Sequence, residues 1–190
     1  MKNNLAIFDL DGTLIDTTEV NFRAYKKALG EHGFILTLDQ FNGFSGQKWT
    51  DFLPKCIGSN DMELLNDIHE LKKEEYKNYI SLARINSILF DIIESLKGTF
   101  YIAIVTTASR QNCMDILGYF NKDKLFDHIL TQNEISAPKP DAEGFIKCMK
   151  YFGVSCDHTI VFEDSEVGIE AALKTGATVF KIANFPKLTC

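Results

Sequence analysis

The sequence predicts an α/β fold, in which a parallel sheet carries helices on both faces and a small helical module is inserted after the first strand. Three observations predict it. Short apolar runs rich in β-forming residues alternate with helical patterns towards both ends of the chain. The segment between them has helical patterns and no convincing strand. The chain has 190 residues and is 45% hydrophobic, which suits one large domain or a core with a small inserted module.

The predicted sheet rests on four apolar runs and a fifth candidate, over residues 5–8, 101–105, 128–131, 159–162 and 178–182. Helical patterns lie between them, at residues 88–96, 111–120, 142–152 and 167–174. This alternation is typical of a Rossmann-like core, which we predict to comprise residues 1–16 and 86–190. The intervening residues 17–85 are predicted to form the all-helical module, with helices over 19–31, 37–41, 47–57 and 61–82.

Composition argues against several classes of partner. The formal net charge is -6, the pI is about 5.2 and no long basic run is present, so we expect neither nucleic acid nor an anionic membrane as a partner. No apolar run is long enough for a signal peptide or a membrane span, which predicts a cytoplasmic protein. The five cysteines have no C-x-x-C spacing and are predicted to be reduced thiols.

The first candidate site follows the first predicted strand, where Asp9 and Asp11 stand one residue apart. Two carboxylates at the end of a buried strand repel each other and lose hydration, so a cation or hydrogen bonds must compensate them. A bend at Gly12 would let both carboxylates converge on one position, and convergent carboxylate oxygens suit Mg²⁺. An ordinary Asp-Gly turn is the alternative interpretation of these residues alone.

Polar residues follow the second and third predicted strands as well. Thr106 and Thr107 close the second, where hydroxyls and backbone N–H groups can hold a phosphoryl oxygen. The alternative is that they only begin a turn or a helix. Lys139 lies between Pro138 and Pro140. Because each proline has a fixed φ, the backbone is restrained and the ammonium can be aimed at one point.

The fourth predicted strand ends in Glu163 and Asp164, with Ser165 at the start of a helix. The alternative is an N-capped helix with acids at its positive end. In an open parallel sheet the ligand crevice lies at the carboxyl ends of the strands. The polar residues that follow the four strands are therefore predicted to meet in one cleft.

The segment FDLDGTLID, followed in order by the three other groups, resembles the four motifs of the haloacid dehalogenase-like superfamily. The likeness is to its β-phosphoglucomutase-like and phosphoglycolate phosphatase-like branch, whose core carries a helical cap. It implies an Mg²⁺-dependent phosphohydrolase that works through an aspartyl phosphate. By resemblance, Asp9 is the nucleophile and Asp11 is the general acid and then the general base.

The resemblance also implies roles for the other groups. Thr106, or Thr107 by a one-residue slip, would hold the phosphoryl group, and Lys139 would neutralise its charge. Asp164 and Glu163 would bind Mg²⁺ together with the Asp9 carboxylate and the backbone carbonyl of the second motif-one acid, Asp11.

The inserted module would be a mobile cap that excludes water and selects the substrate. Within it, Gly46, Gln47 and Lys48 are the predicted substrate-contacting residues, because glycines allow sharp turns and the two longer side chains can reach an anion or hydroxyl. A plain connector between two helices is the alternative. Arg23 is a second candidate, with an ordinary solvated arginine as its alternative.

The leading functional prediction is a phosphatase that acts on a small phosphorylated molecule such as a sugar phosphate, as a monomer or weak dimer. A phosphosugar mutase of the β-phosphoglucomutase type is the first alternative, and Thr13 slightly favours the phosphatase because such mutases often have Val at that place. A non-catalytic phosphoacceptor or binding module is the second. Asp11 argues against it, because a mere acceptor needs no general acid.

Overall fold

The computed structural model describes residues 2–44, 48–183 and 185. The chain divides into two compact units. The first contains residues 2–16 and 84–183, and the second contains Thr17–Ala83. Among the described residues, no helix has the length and apolar character that crossing a membrane requires.

The strands are numbered in chain order: β1 (Asn4–Phe8), β2 (Ile15–Asp16), β3 (Arg84–Ile85), β4 (Phe100–Val105), β5 (His128–Leu130), β6 (Thr159–Glu163) and β7 (Thr178–Lys181). The α-helices are α1 (Thr18–Glu31), α2 (Leu38–Gly43), α3 (Trp49–Ile57), α4 (Met62–Tyr76), α5 (Ser87–Leu96), α6 (Arg110–Tyr119), α7 (Glu143–Phe152) and α8 (Glu166–Leu173). Short 3-10 helices cover Lys77–Leu82, Asp123–Leu125, Gln132–Glu134 and Cys156–His158.

Five strands of the first unit form a parallel sheet in the order β5-β4-β1-β6-β7. After β1, the chain adds β4 and β5 on one side of it and then β6 and β7 on the other side. The order therefore reverses beside β1, at its junction with β6, and ligands bind at such a switch point, outside the carboxyl ends of the strands. Asp9 follows β1 directly, and Glu163 is the last residue of β6.

The central strand is buried on both faces, which explains why its sequence is a continuous apolar run. Leu5 and Ile7 pack with Phe145 and Met149 of α7 in one core cluster. The alternating residues Ala6 and Phe8 point to the opposite face and are also fully buried. The predicted α/β class with a parallel core sheet is thus confirmed.

A short antiparallel pair joins the two ends of the long excursion from the first unit. Ile15 pairs with Ile85, and Asp16 pairs with Arg84. The Arg84 guanidinium donates through Nε to Asp16 Oδ2 at 3.0 Å and through Nη2 to the same oxygen. Asn86 then donates its backbone N–H to the Leu14 carbonyl at 2.9 Å and caps α5. The structure groups Arg84 and Ile85 with the first unit, whereas the sequence boundary placed them in the insert.

The second unit is built from α1 to α4, and helices are its only regular elements among the described residues. Its core includes Phe22, Tyr25 and Leu29 of α1, whose three- and four-residue spacing places them on one helix face. Thr37 begins α2 with a capping box to Gln40. The predicted long helix over 61–82 is shorter than expected, because α4 gives way to a 3-10 helix after Tyr76.

Candidate active site

A buried ion cluster lies at the carboxyl ends of β1 and β6. Lys139 Nζ donates to Asp9 Oδ1 at 2.5 Å and to Glu163 Oε2 at 2.6 Å. The Lys139 and Asp9 side chains are each 8% exposed, and that of Glu163 is 1% exposed. The Lys139 ammonium also lies 5.3 Å from the centre of the Phe145 ring. Three charges that are far apart in sequence are therefore held together away from bulk water.

Glu163 is fixed at both carboxylate oxygens. Its Oε2 accepts from Lys139, while Oε1 accepts from the backbone N–H groups of Asp164 at 3.2 Å and Ser165 at 3.1 Å, and from the Ser165 hydroxyl at 2.8 Å. Ser165 caps α8 by accepting from the Gly168 N–H. A Cβ at Gly168 would collide with the Glu163 carboxylate, so the close approach of this helix requires glycine.

Asp164 is held by residues of the first motif. Its Oδ1 accepts from the Thr13 hydroxyl at 2.7 Å. Gly12, at φ +92°, turns the chain beneath the same carboxylate, and a Cβ there would lie 2.9 Å from Asp164 Cγ. The fully buried Thr13 side chain thus fixes the orientation of Asp164.

The acids of the cluster fit a divalent cation. Asp9, Glu163 and Asp164 each offer a carboxylate oxygen, and these oxygens lie within 4.8 Å of one another. Burial raises the pKa of Asp9 well above its ordinary value, with Lys139 opposing this and Glu163 adding to it. Burial also raises the pKa of Asp164, against the Thr13 hydrogen bond. Carboxylates desolvated in this way are stabilised in their charged form by a cation, and their hard oxygens suit Mg²⁺.

Lys139 remains an ammonium in this setting. Burial by itself lowers the pKa of the group, but the charges of Asp9 and Glu163 outweigh that effect and raise the pKa above its ordinary range. The cluster therefore presents one permanent positive charge among its acids. The Lys139–Pro140 peptide bond is cis.

The remaining core candidates lie close by along the chain and the sheet. Asp11 is exposed, and its charge also raises the pKa of Asp9. Thr106 directly follows β4, the neighbour of β1, and is buried, with its hydroxyl accepting from the Ala108 N–H at 3.0 Å. Thr107 is exposed.

The candidates in the insert are described only in part. Lys48 is exposed and stands at the N-cap position of α3. Gly46 and Gln47 lie outside the described residues. Arg23 is ion-paired with Glu19 one turn earlier in α1, at 3.1 Å, which is the ordinary arrangement of a solvated helix face.

Sequence reasoning missed two contributors to the geometry. From the sequence, Thr13 serves only to favour a phosphatase over a mutase. A hydroxyl directly after an acidic turn is the feature that could have indicated its contact with an acid. Gly168 stands three residues after Ser165, where the sequence indicated only a small-residue helix face.

Residues 6–182 match the family described as haloacid dehalogenase-like hydrolase. The chain belongs to this family, and it is a hydrolase of the kind that the sequence predicted. The match spans the strands and helices that carry all four motif groups.

Named relatives agree with this class. The chain is 26% identical to the fructose-1-phosphate phosphatase YqaB of Escherichia coli over 90% of this chain and 91% of the relative. It is 29% identical to a phosphorylated carbohydrates phosphatase of Thermotoga maritima, over 90% and 80%. The crystal structure of CbbY from Rhodobacter sphaeroides in complex with phosphate has a TM-score of 0.84, at 20% identity, covering 97% of this chain and 88% of that one. The prediction of a phosphatase within this family is confirmed, and the last comparison supports the fold alone.

Proposed function

We propose that the protein is an Mg²⁺-dependent phosphatase that cleaves a small phosphomonoester, in particular a phosphorylated carbohydrate, through an aspartyl phosphate. The observation that carries the proposal is the buried cluster in which Lys139 bridges Asp9 and Glu163 beside Asp164. Acids and an ammonium held together away from water form an electrostatic environment for a transferring phosphoryl group. The substrate class is supported by the two phosphatase relatives.

Asp9 is the proposed nucleophile. Its carboxylate oxygen bonds to phosphorus while the bond from phosphorus to the leaving oxygen breaks, and Asp11 gives a proton to that oxygen. Water then attacks the phosphoryl group, Asp11 takes its proton, and inorganic phosphate leaves with Asp9 restored. The exposure of Asp11 is consistent with exchange of protons with solvent.

Lys139 and Thr106 are the proposed groups that hold the transferring phosphoryl. The Lys139 ammonium donates to the Asp9 carboxylate, so it lies beside a phosphoryl group that is transferred to Asp9 and offsets the negative charge of that group. Thr106 accepts one hydrogen bond from Ala108, and a hydroxyl that accepts keeps its own proton to donate to a phosphoryl oxygen. Thr107, exposed beside it, is a secondary candidate.

Asp9, Asp164 and Glu163 would hold Mg²⁺, with the Asp11 backbone carbonyl as a further oxygen ligand. When bound, the ion supplies positive charge that offsets the negative charge on the transferring group. Residues Thr17–Ala83 are proposed to act as the cap, with Lys48 and the neighbouring Gly46 and Gln47 as its substrate-selecting segment.

The test is a panel of phosphorylated metabolites and p-nitrophenyl phosphate, assayed for phosphate release with Mg²⁺ and with EDTA. Wild-type protein should release phosphate only with Mg²⁺, and Asp9→Asn should lower turnover by at least about a thousandfold. Asp91→Asn, at an exposed position of α5, is the matched control and should retain wild-type turnover. Acid-quenched wild-type enzyme should carry phosphate on the peptide that contains Asp9.

Two results would overturn the proposal. Full turnover by Asp9→Asn excludes Asp9 as the nucleophile. Isomerisation of a hexose 1-phosphate without net phosphate release would establish the mutase alternative instead.

A further inference from the structure

We propose that Glu143 and Lys174 are positioning residues that hold the loop over residues 136–142 from two sides and so aim Lys139 at Asp9. The inference rests on the proposed role of Lys139. Among the described residues, no hydrogen bond or ion pair joins Glu143 or Lys174 to the ion cluster. Both residues bind the backbone of the loop that carries Lys139.

Glu143 holds the start of the loop. It is in the first turn of α7, and its Oε1 accepts from the Ser136 N–H at 3.1 Å while Oε2 accepts from the Ala137 N–H. Lys147, one turn later in α7, is ion-paired with Glu143. One carboxylate therefore takes two consecutive backbone N–H groups just before Pro138.

The charge of Glu143 is well suited to this contact. The Lys147 hydrogen bond, with those of the Ala137 and Ser136 amides, lowers its pKa to about 2. The side chain is thus an acceptor-only carboxylate at any pH at which the enzyme would work. A carboxylate that accepts from two amides constrains the backbone more strongly than a neutral acceptor would.

Lys174 holds the far side of the loop. It follows the last residue of α8, and its Nζ donates to the Pro140 carbonyl at 2.8 Å and to Glu170 Oε1 at 2.7 Å. The helix that it ends is the one that begins beside Glu163. Lys174 therefore connects the helix after the β6 acids to the residue that directly follows Lys139.

The two contacts flank Lys139 closely in sequence. Backbone groups at Ser136 and Ala137 are fixed on one side, and the Pro140 carbonyl is fixed on the other. Within the loop, the Asp141 N–H donates to the Pro138 carbonyl at 3.0 Å. A lysine side chain has four rotatable bonds, so its head group is held at one point only if the backbone beneath it is also held.

The experiment compares Glu143→Ala and Lys174→Met with wild type, at saturating Mg²⁺ and with the best substrate of the panel. Because misplacement of a catalytic group by about 1 Å can cost up to about a hundredfold, we expect Glu143→Ala to lower kcat roughly tenfold. Lys174→Met, which removes the hydrogen bond to Pro140 and the ion pair with Glu170, should lower kcat about threefold. KM should change little, because the transferring group is held most tightly in the transition state.

The decisive measurement is a double-mutant comparison in the Lys139→Met background. If Glu143 acts through Lys139, Glu143→Ala should cause no further loss of kcat there. An equal loss in both backgrounds would overturn the inference. If Lys139→Met turns over too slowly to measure, the ¹⁵Nζ resonance of Lys139 replaces kcat, and a resonance unchanged by Glu143→Ala overturns it equally.

Matched controls separate loop positioning from loss of an ion pair. Glu170→Gln breaks the pair with Lys174 but keeps the Lys174 contact with Pro140, and Glu31→Ala breaks the corresponding pair with Lys27 in α1. Both should retain wild-type kcat. If Glu143→Ala does not fold, Glu143→Gln, which keeps one acceptor oxygen for an amide, should give an intermediate kcat, and wild-type kcat would contradict the inference.

Failure of the inference is distinguishable from failure of the proposed function. If Lys139→Met itself retains wild-type turnover, the proposed role of Lys139 is wrong. If Lys139→Met is impaired but Glu143→Ala and Lys174→Met are not, the function stands and the positioning role is wrong.

Discussion

Each of the two units buries a lysine, and the groups described around the two ammonium ions differ. In the first unit, the Lys139 ammonium donates to two buried carboxylates. In the second unit, Lys72 of α4 is 5% exposed, and its ammonium lies 5.0 Å from the centre of the Tyr25 ring and 4.9 Å from that of Tyr76. Full negative charges surround the Lys139 ammonium, and the Lys72 ammonium lies against the negative faces of two aromatic rings.

The two buried lysines lie in different surroundings. Lys139 lies at the edge of the sheet where ligands bind. Its ion pairs with the carboxylates can be replaced when an anion and a cation bind there. A lysine over tyrosine rings packs its long apolar stem within a helical core. Lys139 is therefore the buried lysine with a proposed chemical role, and Lys72 contributes to the packing of the second unit.

Among the variants that follow, we expect the largest change in kcat when the two buried lysines are replaced by methionine one at a time. Lys139→Met should lower kcat by about a hundred- to a thousandfold, as loss of a single electrostatic contact does in other active sites. It should also destabilise the metal-free protein by about 3–5 kcal/mol, because it leaves buried acids without their cation. Lys72→Met should leave kcat unchanged and should lower the free energy of unfolding. Steady-state assays and urea unfolding measure both quantities.

Equal losses of kcat in the two variants would contradict a catalytic role that Lys139 has and Lys72 lacks. Added Mg²⁺ should narrow the difference in stability between Lys139→Met and wild type, and it should leave the difference between Lys72→Met and wild type unchanged.

A smaller effect is expected at Thr13, which acts on the acid cluster without carrying charge. Thr13→Val keeps the shape but removes the hydrogen bond to Asp164 that lowers its pKa, so the pKa of Asp164 should rise further. The Kd for Mg²⁺ should increase about three- to tenfold, in line with the loss of one hydrogen bond to a charged group. Calorimetric titration with Mg²⁺ alone measures this, and Thr13→Ser is the control that keeps the hydroxyl. An unchanged Kd in Thr13→Val would show that Asp164 is oriented without it.

The smallest effect concerns pH and the second unit. His69 stacks on Trp49 with ring centres 4.4 Å apart, and burial, with Lys72 and Lys73, lowers its pKa from 6.5 to about 4. Since the unfolded chain binds this proton more readily, the free energy of unfolding should fall as the pH drops from 6.5 towards 4. After allowance for the partly exposed ring, the His69 share is about 1 kcal/mol.

Urea unfolding at several pH values, compared with His69→Gln, isolates this contribution. The variant should lose less stability over the same range than wild type does. Parallel curves for the two proteins would mean that His69 is protonated as easily in the folded state as in the unfolded chain.

Much of the core could be predicted because parallel strands covered on both faces are continuous apolar runs. Residues 5–8 and 159–162 stand out for that reason, and the acids at their ends could be assigned to one edge of the sheet from the sequence alone. The antiparallel pair of β2 and β3 could not be predicted, because two-residue strands have no periodicity to detect.

The supporting residues of the site were hidden for a different reason. Glu143 in the first turn of a helix is what the helix dipole alone favours, and Lys174 at a helix end is equally ordinary. Their contacts with Ser136, Ala137 and Pro140 depend on how two helices pack beside one loop, which spacing along the sequence does not encode.

The pairing of Asp16 with Arg84 has a consequence for how such a chain can be altered. The polypeptide leaves the sheet-bearing unit and returns to it at directly opposed residues, as it would around a hairpin turn. Since the entropy of closing a loop grows by only about 0.6 kcal/mol for each doubling of its length, the length of the excursion matters little to the unit that hosts it. We therefore expect the sheet-bearing unit to fold with a longer, shorter or unrelated segment in place of Thr17–Ala83 between the same two residues.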